Sequence, residues 1–177
     1  MNPTEILKKA QEWLKSPFDE KTKEEVKQVI ENDPKELADR FYKDLEFGTG
    51  GMRGVMGAGT NRINKYTLGK STQGLSNYLI SAFPGKKLKV VIAYDCRNNS
   101  QLFAKEVAKV FSANDIQVYL FEELRPTPEL SFAVRELGCD AGIVLTASHN
   151  PPEYNGYKVY AANSAQIVPP IDAGIAA

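Results

Sequence analysis

Two short stretches of this 177-residue chain concentrate side chains suited to chemistry, and a third is suited to holding an anion. Thr146-Ala147-Ser148-His149-Asn150-Pro151-Pro152 gathers hydroxyl, imidazole and amide groups directly after the apolar run Ala141 to Leu145. A serine so placed becomes reactive when a base takes its proton, or when it is kept phosphorylated and serves as a phosphoryl donor. The same residue types also cap turns, so Thr146, Ser148 and Asn150 fit a purely structural loop as well. His149 is the only histidine. A Ser-His-Asp relay would set it beside Ser148, but neighbours on an extended loop point in opposite directions, which disfavours a hydrolase triad and leaves His149 structural. Asp95-Cys96-Arg97-Asn98-Asn99-Ser100 is the second stretch, again following an apolar run.

The third is Gly48-Thr49-Gly50-Gly51-Met52-Arg53-Gly54, where glycines bring backbone amides close to an anion and Arg53 adds a fork of donors. It is not a dinucleotide fingerprint, because the position of the third glycine is Arg53, and the chain has no G-x-x-x-x-G-K-[ST] string. A tight turn and a phosphate cradle both fit this stretch.

The elements that would position these loops alternate. Ile6, Trp13 and Leu14, then Val26, Val29 and Ile30, then Leu37, Phe41 and Tyr42 mark three short amphipathic helices, broken at Ser16-Pro17 and Asp33-Pro34. Phe47 to Gly59 has six glycines in thirteen residues and predicts a structured loop, without regular helix or strand throughout. A helix is expected over Asn64 to Phe83, a buried strand over Leu88 to Tyr94, and a helix from about Ser100 to Asn114. A strand over Ile116 to Phe121, a helix over Pro128 to Leu137 and a short strand over Ala141 to Leu145 follow. This pattern predicts an α/β fold, a mixed, mostly parallel sheet with helices on both faces, preceded by a short helical extension. Functional loops lie beyond the carboxyl ends of strands in such sheets, where the stretches at 95–100 and 146–152 fall. Val168 to Ala177 lacks periodicity and is expected to be a terminal strap or linker stub.

Composition narrows the function. With 22 basic and 22 acidic residues the chain has no long-range field to hold a polyanion, so nucleic acid and anionic membrane are not expected partners, while a small anion remains open. The start has no apolar secretory segment and no stretch approaches membrane-spanning length, so a cytoplasmic protein with free Cys96 and Cys139 is expected. The sequon Asn98-Asn99-Ser100 then carries no meaning.

Thr146-Ala147-Ser148-His149-Asn150-Pro151, followed by Asn155-Gly156-Tyr157-Lys158, resembles the active-serine motif of the α-D-phosphohexomutases (phosphoglucomutase/phosphomannomutase). The glycine loop is similar to that family's first conserved loop and Tyr94 to Ser100 to its second, in family order, over roughly residues 41–170. The helical start resembles the phosphoglucomutase-2-like branch that includes phosphopentomutase activity. The resemblance implies an isomerase of carbohydrate metabolism, acting as an intramolecular phosphotransferase. Domain I would span 44–177 and the helical extension 1–43. Ser148 would carry the phosphate, with Lys158 as general acid/base and Arg53 steadying the loop and the phosphoserine. Without the motif, Lys158 would read as a solvated strand lysine. Gly50, Gly51, Asp95, Arg97, Ser100, His149 and Asn150 would bind phosphate or support the site. Mg2+ would meet this chain only through the phosphate on Ser148.

The family's aspartate-rich metal loop, sugar-selecting loop and distal phosphate loop do not occur in this sequence, and the 177 residues alone are expected to be inactive. Partners would be a sugar phosphate and a sugar bisphosphate, with self-association through an exposed interdomain face. A non-catalytic phosphosugar-binding or interaction module is the alternative. Two departures fall in the tail: Ser164 stands before Ala165-Gln166 where the family usually has glycine, and Ile171 follows Pro169-Pro170 where the related branch often has histidine. Both put the tail's packing in question.

Overall fold

The computed structural model describes residues 2–15, 17–48 and 50–176. Met1, Ser16, Thr49 and Ala177 therefore lie outside the described residues, Ser16 of the Ser16-Pro17 break and Thr49 of the glycine loop among them. Three helices open the chain, α1 (Pro3–Glu12), α2 (Glu20–Asn32) and α3 (Pro34–Phe41), as the periodicity predicts. Each starts on a side chain that accepts backbone N–H bonds: Asn2 in a capping box, Asp19 and Asp33. Such a cap stabilises its helix by roughly 1 kcal/mol. Their apolar faces meet around Ala10, Val26 and Phe41, and Trp13 stacks on Phe18 with ring centroids 4.4 Å apart.

The strands are β1 (Gly51–Val55), β2 (Lys89–Tyr94), β3 (Gln117–Leu120), β4 (Ala141–Leu145) and β5 (Tyr154–Ala161). They form one mixed sheet in the order β1-β5-β4-β2-β3. β2 runs parallel to β3 and β4, while β5 runs antiparallel to β4 and β1, so four of the five strands share a direction and β5 alone opposes them. Helix α4 (Lys65–Ala82), capped by Asn64, and α5 (Ser100–Ala113) cover one face with a core of Leu68, Leu75, Phe111, Ile143 and Tyr157. Helix α6 (Thr127–Glu136) covers part of the other, setting Leu130 and Val134 against Val91, Val144 and Tyr160. Each fully buried Ile or Leu, such as Ile143 and Leu130, stabilises by about 1.5–3 kcal/mol. Helices thus lie on both faces of the sheet. No helix among the described residues is long and apolar enough to cross a membrane, and both cysteines are free thiols.

Three findings depart from the sequence reading. The glycine-rich segment is not loop throughout: β1 occupies its middle, because the ladder to β5 supplies order that its side chains do not. β5 was not assigned from sequence as an element of the sheet, although Lys158 within it read as a strand lysine. The tail folds back as α7 (Ile171–Ala176), with Ile175 buried against α4; a Cβ on Gly74 would lie 2.5 Å from the Ile175 carbonyl oxygen.

Candidate functional site

β2 and β4 end side by side, and the loops that follow them are tied together by one side chain. Arg97 sends Nη1 to the carbonyl oxygens of Pro151 (2.9 Å) and Tyr154 (3.1 Å), and Nη2 to those of Ser148 (2.7 Å) and Asn150 (2.6 Å). Its side chain is only 11% exposed, and Asp95 faces its Nε at 3.5 Å. Asp95 Oδ1 also accepts from the Arg97 N–H (3.0 Å) and from Ser100 Oγ (2.8 Å). Buried Ser100 in turn accepts from Asn155 Nδ2 at 2.9 Å, and Asn155 reaches the Asn98 carbonyl at 3.1 Å. The network joins the start of β5 to the loop after β2.

Ser148 itself is exposed. Its φ of 56° is left-handed, which costs a non-glycine residue roughly 1–2 kcal/mol, so the loop turns sharply at this residue. The sequence reading assumed an extended loop here, and that premise does not hold. His149 is exposed, and among the described residues neither it nor Ser148 Oγ makes a side-chain hydrogen bond. Asn150 has its backbone held by Arg97 and Ala147, while its Oδ1 is buried without a partner.

Arg53 comes from the opposite edge. It lies directly across from Gly156 in the β1–β5 ladder, and Thr146, one step past β4, donates its N–H to the Gly156 oxygen at 3.1 Å. Thr146, Gly156 and Arg53 form a row across three strands, and residues opposite one another project from the same face. Gly156 lets the three strands close up in the middle of the row: a Cβ there would fall 2.6 Å from the Thr146 oxygen and 2.9 Å from the Met52 oxygen. Lys158, two residues further along β5, shares that face. Arg53, Thr146 and Lys158 line a groove of about 500 Å3 with Lys43, Glu46, Gly50, Gly51 and Gln166. Lys43 pairs with Glu46 at 3.1 Å; Arg53 and Lys158 have no carboxylate partner among the described residues, which suits the groove to an anion.

In the glycine turn, Gly50 and Gly51 have φ of 83° and 130°, and a Cβ on Gly51 would lie 1.9 Å from the Tyr157 oxygen. Only glycine fits there. The Gly51 N–H is bound within the turn to the Gly48 oxygen at 3.0 Å, and Gln166 Nε2 closes over the Gly50 oxygen at 3.2 Å. The turn brings β1 against β5, and its Gly51 amide is not free for a ligand.

A family model described as phosphoglucomutase/phosphomannomutase, alpha/beta/alpha domain I, matches residues 44–177. The chain belongs to that family. A phosphopentomutase of Homo sapiens is 43% identical over 172 residues, covering 93% of this chain and 28% of its own length. A glucose 1,6-bisphosphate synthase of Homo sapiens is 43% identical over 169 residues, covering 91% of this chain and 27% of its own. The chain therefore spans less than a third of these relatives. Among solved structures, a phosphoglucomutase/phosphomannomutase family protein from Burkholderia thailandensis matches with a TM-score of 0.60 and 27% identity, over 73% of this chain and 28% of that one.

The resemblance implies a magnesium ion. Among the described residues no group of three or more His, Cys, Asp or Glu is placed to hold a metal ion, and phosphorylated Ser148 would offer only phosphate oxygens. The described residues do not by themselves fit a metal centre. Asn155 and Gln166 were missed from sequence, and Thr146 was named only as a turn-capping hydroxyl. Thr146 and Asn155 sit inside the recognised motif, but their hydrogen bonds exist only once the strands are paired.

Proposed function

We propose that residues 44–177 form the serine-bearing first domain of a phosphosugar mutase, with residues 1–43 a helical extension packed on it. What supports the reading is an exposed, main-chain-clamped Ser148 two residues past Thr146, whose side chain lines the groove that holds Arg53 and Lys158. Phosphorylated Ser148 would present its phosphoryl group to a hydroxyl of a sugar phosphate. The P–O bond to Ser148 breaks, a P–O bond to the sugar forms, and the sugar's proton passes by way of Lys158 to the freed Ser148 oxygen. The bisphosphate reorients and returns its other phosphate to Ser148, while Lys158 gives the proton back to the freed sugar oxygen. The net change moves phosphate between the 1-position and the 6- or 5-position of a hexose or pentose.

Asp95, Arg97, Ser100 and Asn150 act by holding the serine loop, and His149 shapes it; Gly50 and Gly51 set the turn beside Arg53. Equal identity to relatives named for different sugar substrates supports assigning the phosphate chemistry, rather than the choice of sugar, to these residues. Magnesium, where the complete enzyme supplies its other ligands, would offset charge on the transferring group. A cytoplasmic location is part of the same proposal.

The test is an amide-resolved NMR titration of the 177-residue chain with glucose 1-phosphate. Shifts are expected at residues 51–54, 148 and 158, weakened in Arg53→Ala and Lys158→Ala, with melting temperatures unchanged within a few degrees, as for surface changes of under roughly 1 kcal/mol. A coupled assay on the same chain should show no net isomerisation, because the sugar-selecting and distal phosphate loops are not in it. Shifts confined to other surfaces, or unaffected by both substitutions, would overturn the reading.

A further inference from the structure

We infer that Thr146 is a positioning residue for Ser148, acting through the serine's backbone; the inference rests on the serine-phosphate reading above. The clamp from Arg97 grips only carbonyl oxygens of the serine loop. The Ser148 N–H is held by a different group, Thr146 Oγ1, which accepts it at 3.0 Å. That bond spans two residues and closes a tight turn immediately after β4, where Ser148 takes its left-handed φ of 56°. Without it the peptide before Ser148 is free to swing toward the extended conformation that strand residues prefer. The Ser148 hydroxyl would then leave the position its backbone now fixes.

The fold itself does not call for a hydroxyl at this position. Thr146 is 7% exposed at the end of an otherwise apolar strand, a place where valine has the same shape and the same preference for strands. What valine lacks is the acceptor. Thr146 also stands in the cross-strand row with Gly156 and Arg53, so its side chain joins the serine turn to the face that carries Arg53 and Lys158. A rotation at Ser148 would break that alignment while leaving the groove's cations in place. Thr146 is thus the link that sets where the serine points relative to the anion groove.

The experiment compares the wild-type chain with Thr146→Val, Thr146→Ser and Ser148→Ala. Uptake of phosphate from glucose 1,6-bisphosphate with magnesium is followed by intact mass, and hydrogen exchange of the Ser148 amide by NMR. Thr146→Val should melt within a few degrees of wild type, yet take up phosphate at least about tenfold more slowly, as expected when a reacting group loses its orientation. Its Ser148 amide should exchange about tenfold faster or more. Thr146→Ser, which restores the acceptor, should recover both. A Thr146→Val chain labelled and exchanging at wild-type rates would overturn the proposal, as would a serine variant that fails to rescue. Uptake that persists in Ser148→Ala, or a wild-type chain that takes up none, overturns the serine-phosphate reading instead, and the exchange comparison then decides Thr146 alone.

Discussion

Arg97 Nη2 donates to the Ser148 carbonyl oxygen at 2.7 Å, so the serine is fixed by its main chain while its side chain stays open to solvent. The guanidinium reaches four carbonyls in pairs, a geometry that follows from its planar fork. A lysine at this position is a point donor that cannot span them. Arg97→Lys should therefore lower stability by about 2–4 kcal/mol, since hydrogen bonds to a charged group are worth about 1.5–3 kcal/mol each and the orphaned carbonyls lose their partner. Guanidinium denaturation measures the loss. Amide exchange should show residues 148–150 loosened before the sheet.

Ser164 has a left-handed φ of 67°, and its Oγ is buried without a hydrogen-bond partner. The departure noted in sequence at this position thus coincides with a local cost in structure. Ser164→Gly removes both the conformational strain and the unsatisfied hydroxyl. It should stabilise the chain by about 1 kcal/mol, raising the melting temperature by roughly 2–4 °C in calorimetry. The tail itself still packs, with Ile167 and Ile175 buried.

Much of this architecture was legible in sequence because its signals are local. The three leading helices carry their caps and periodicity with them, and the Leu88 and Ala141 runs are too apolar to be anything but buried. The serine and glycine loops were legible as motifs. β5 was not, because Asn155-Gly156 reads as turn-forming chemistry and its strand conformation comes from pairing on both sides with β1 and β4. For the same reason Arg53 read as an anion contact, but its alignment with Thr146 across Gly156 depends on register.

Asp19 connects the helical extension to α4. Its carboxylate accepts from Tyr66 Oη at 2.7 Å and Thr22 Oγ1 at 2.7 Å, and Lys65 lies 3.0 Å away. These donors, Tyr66 foremost, hold the carboxyl well below its usual 3.8. A lowered folded pKa gives stability that is present above the usual value and lost as pH falls toward the folded one. Asp19→Asn should thus cost about 1 kcal/mol at pH near 7, a figure kept small because the side chain is 37% exposed. The gap between the two proteins should close as pH drops below about 4. Urea melts at both pH values check this, and a gap that widens in acid would refute it.

Burial beside Asp140 pushes the Cys139 thiol up to about 11, whereas Cys96 is exposed. Iodoacetamide at mildly alkaline pH, near 8, should therefore modify one cysteine in the folded chain and both in denaturant, because only the thiolate reacts. Peptide mass spectrometry should place the single adduct on Cys96.

The central claim is that Ser148 carries the phosphate, and site-resolved mass spectrometry of the purified chain tests it most directly. The account predicts one phosphate, on Ser148, present as isolated or after exposure to glucose 1,6-bisphosphate with magnesium, and absent from Ser148→Ala under the same treatment. A chain that never acquires phosphate at Ser148, or that carries it equally on another residue in the Ser148→Ala variant, would contradict the account.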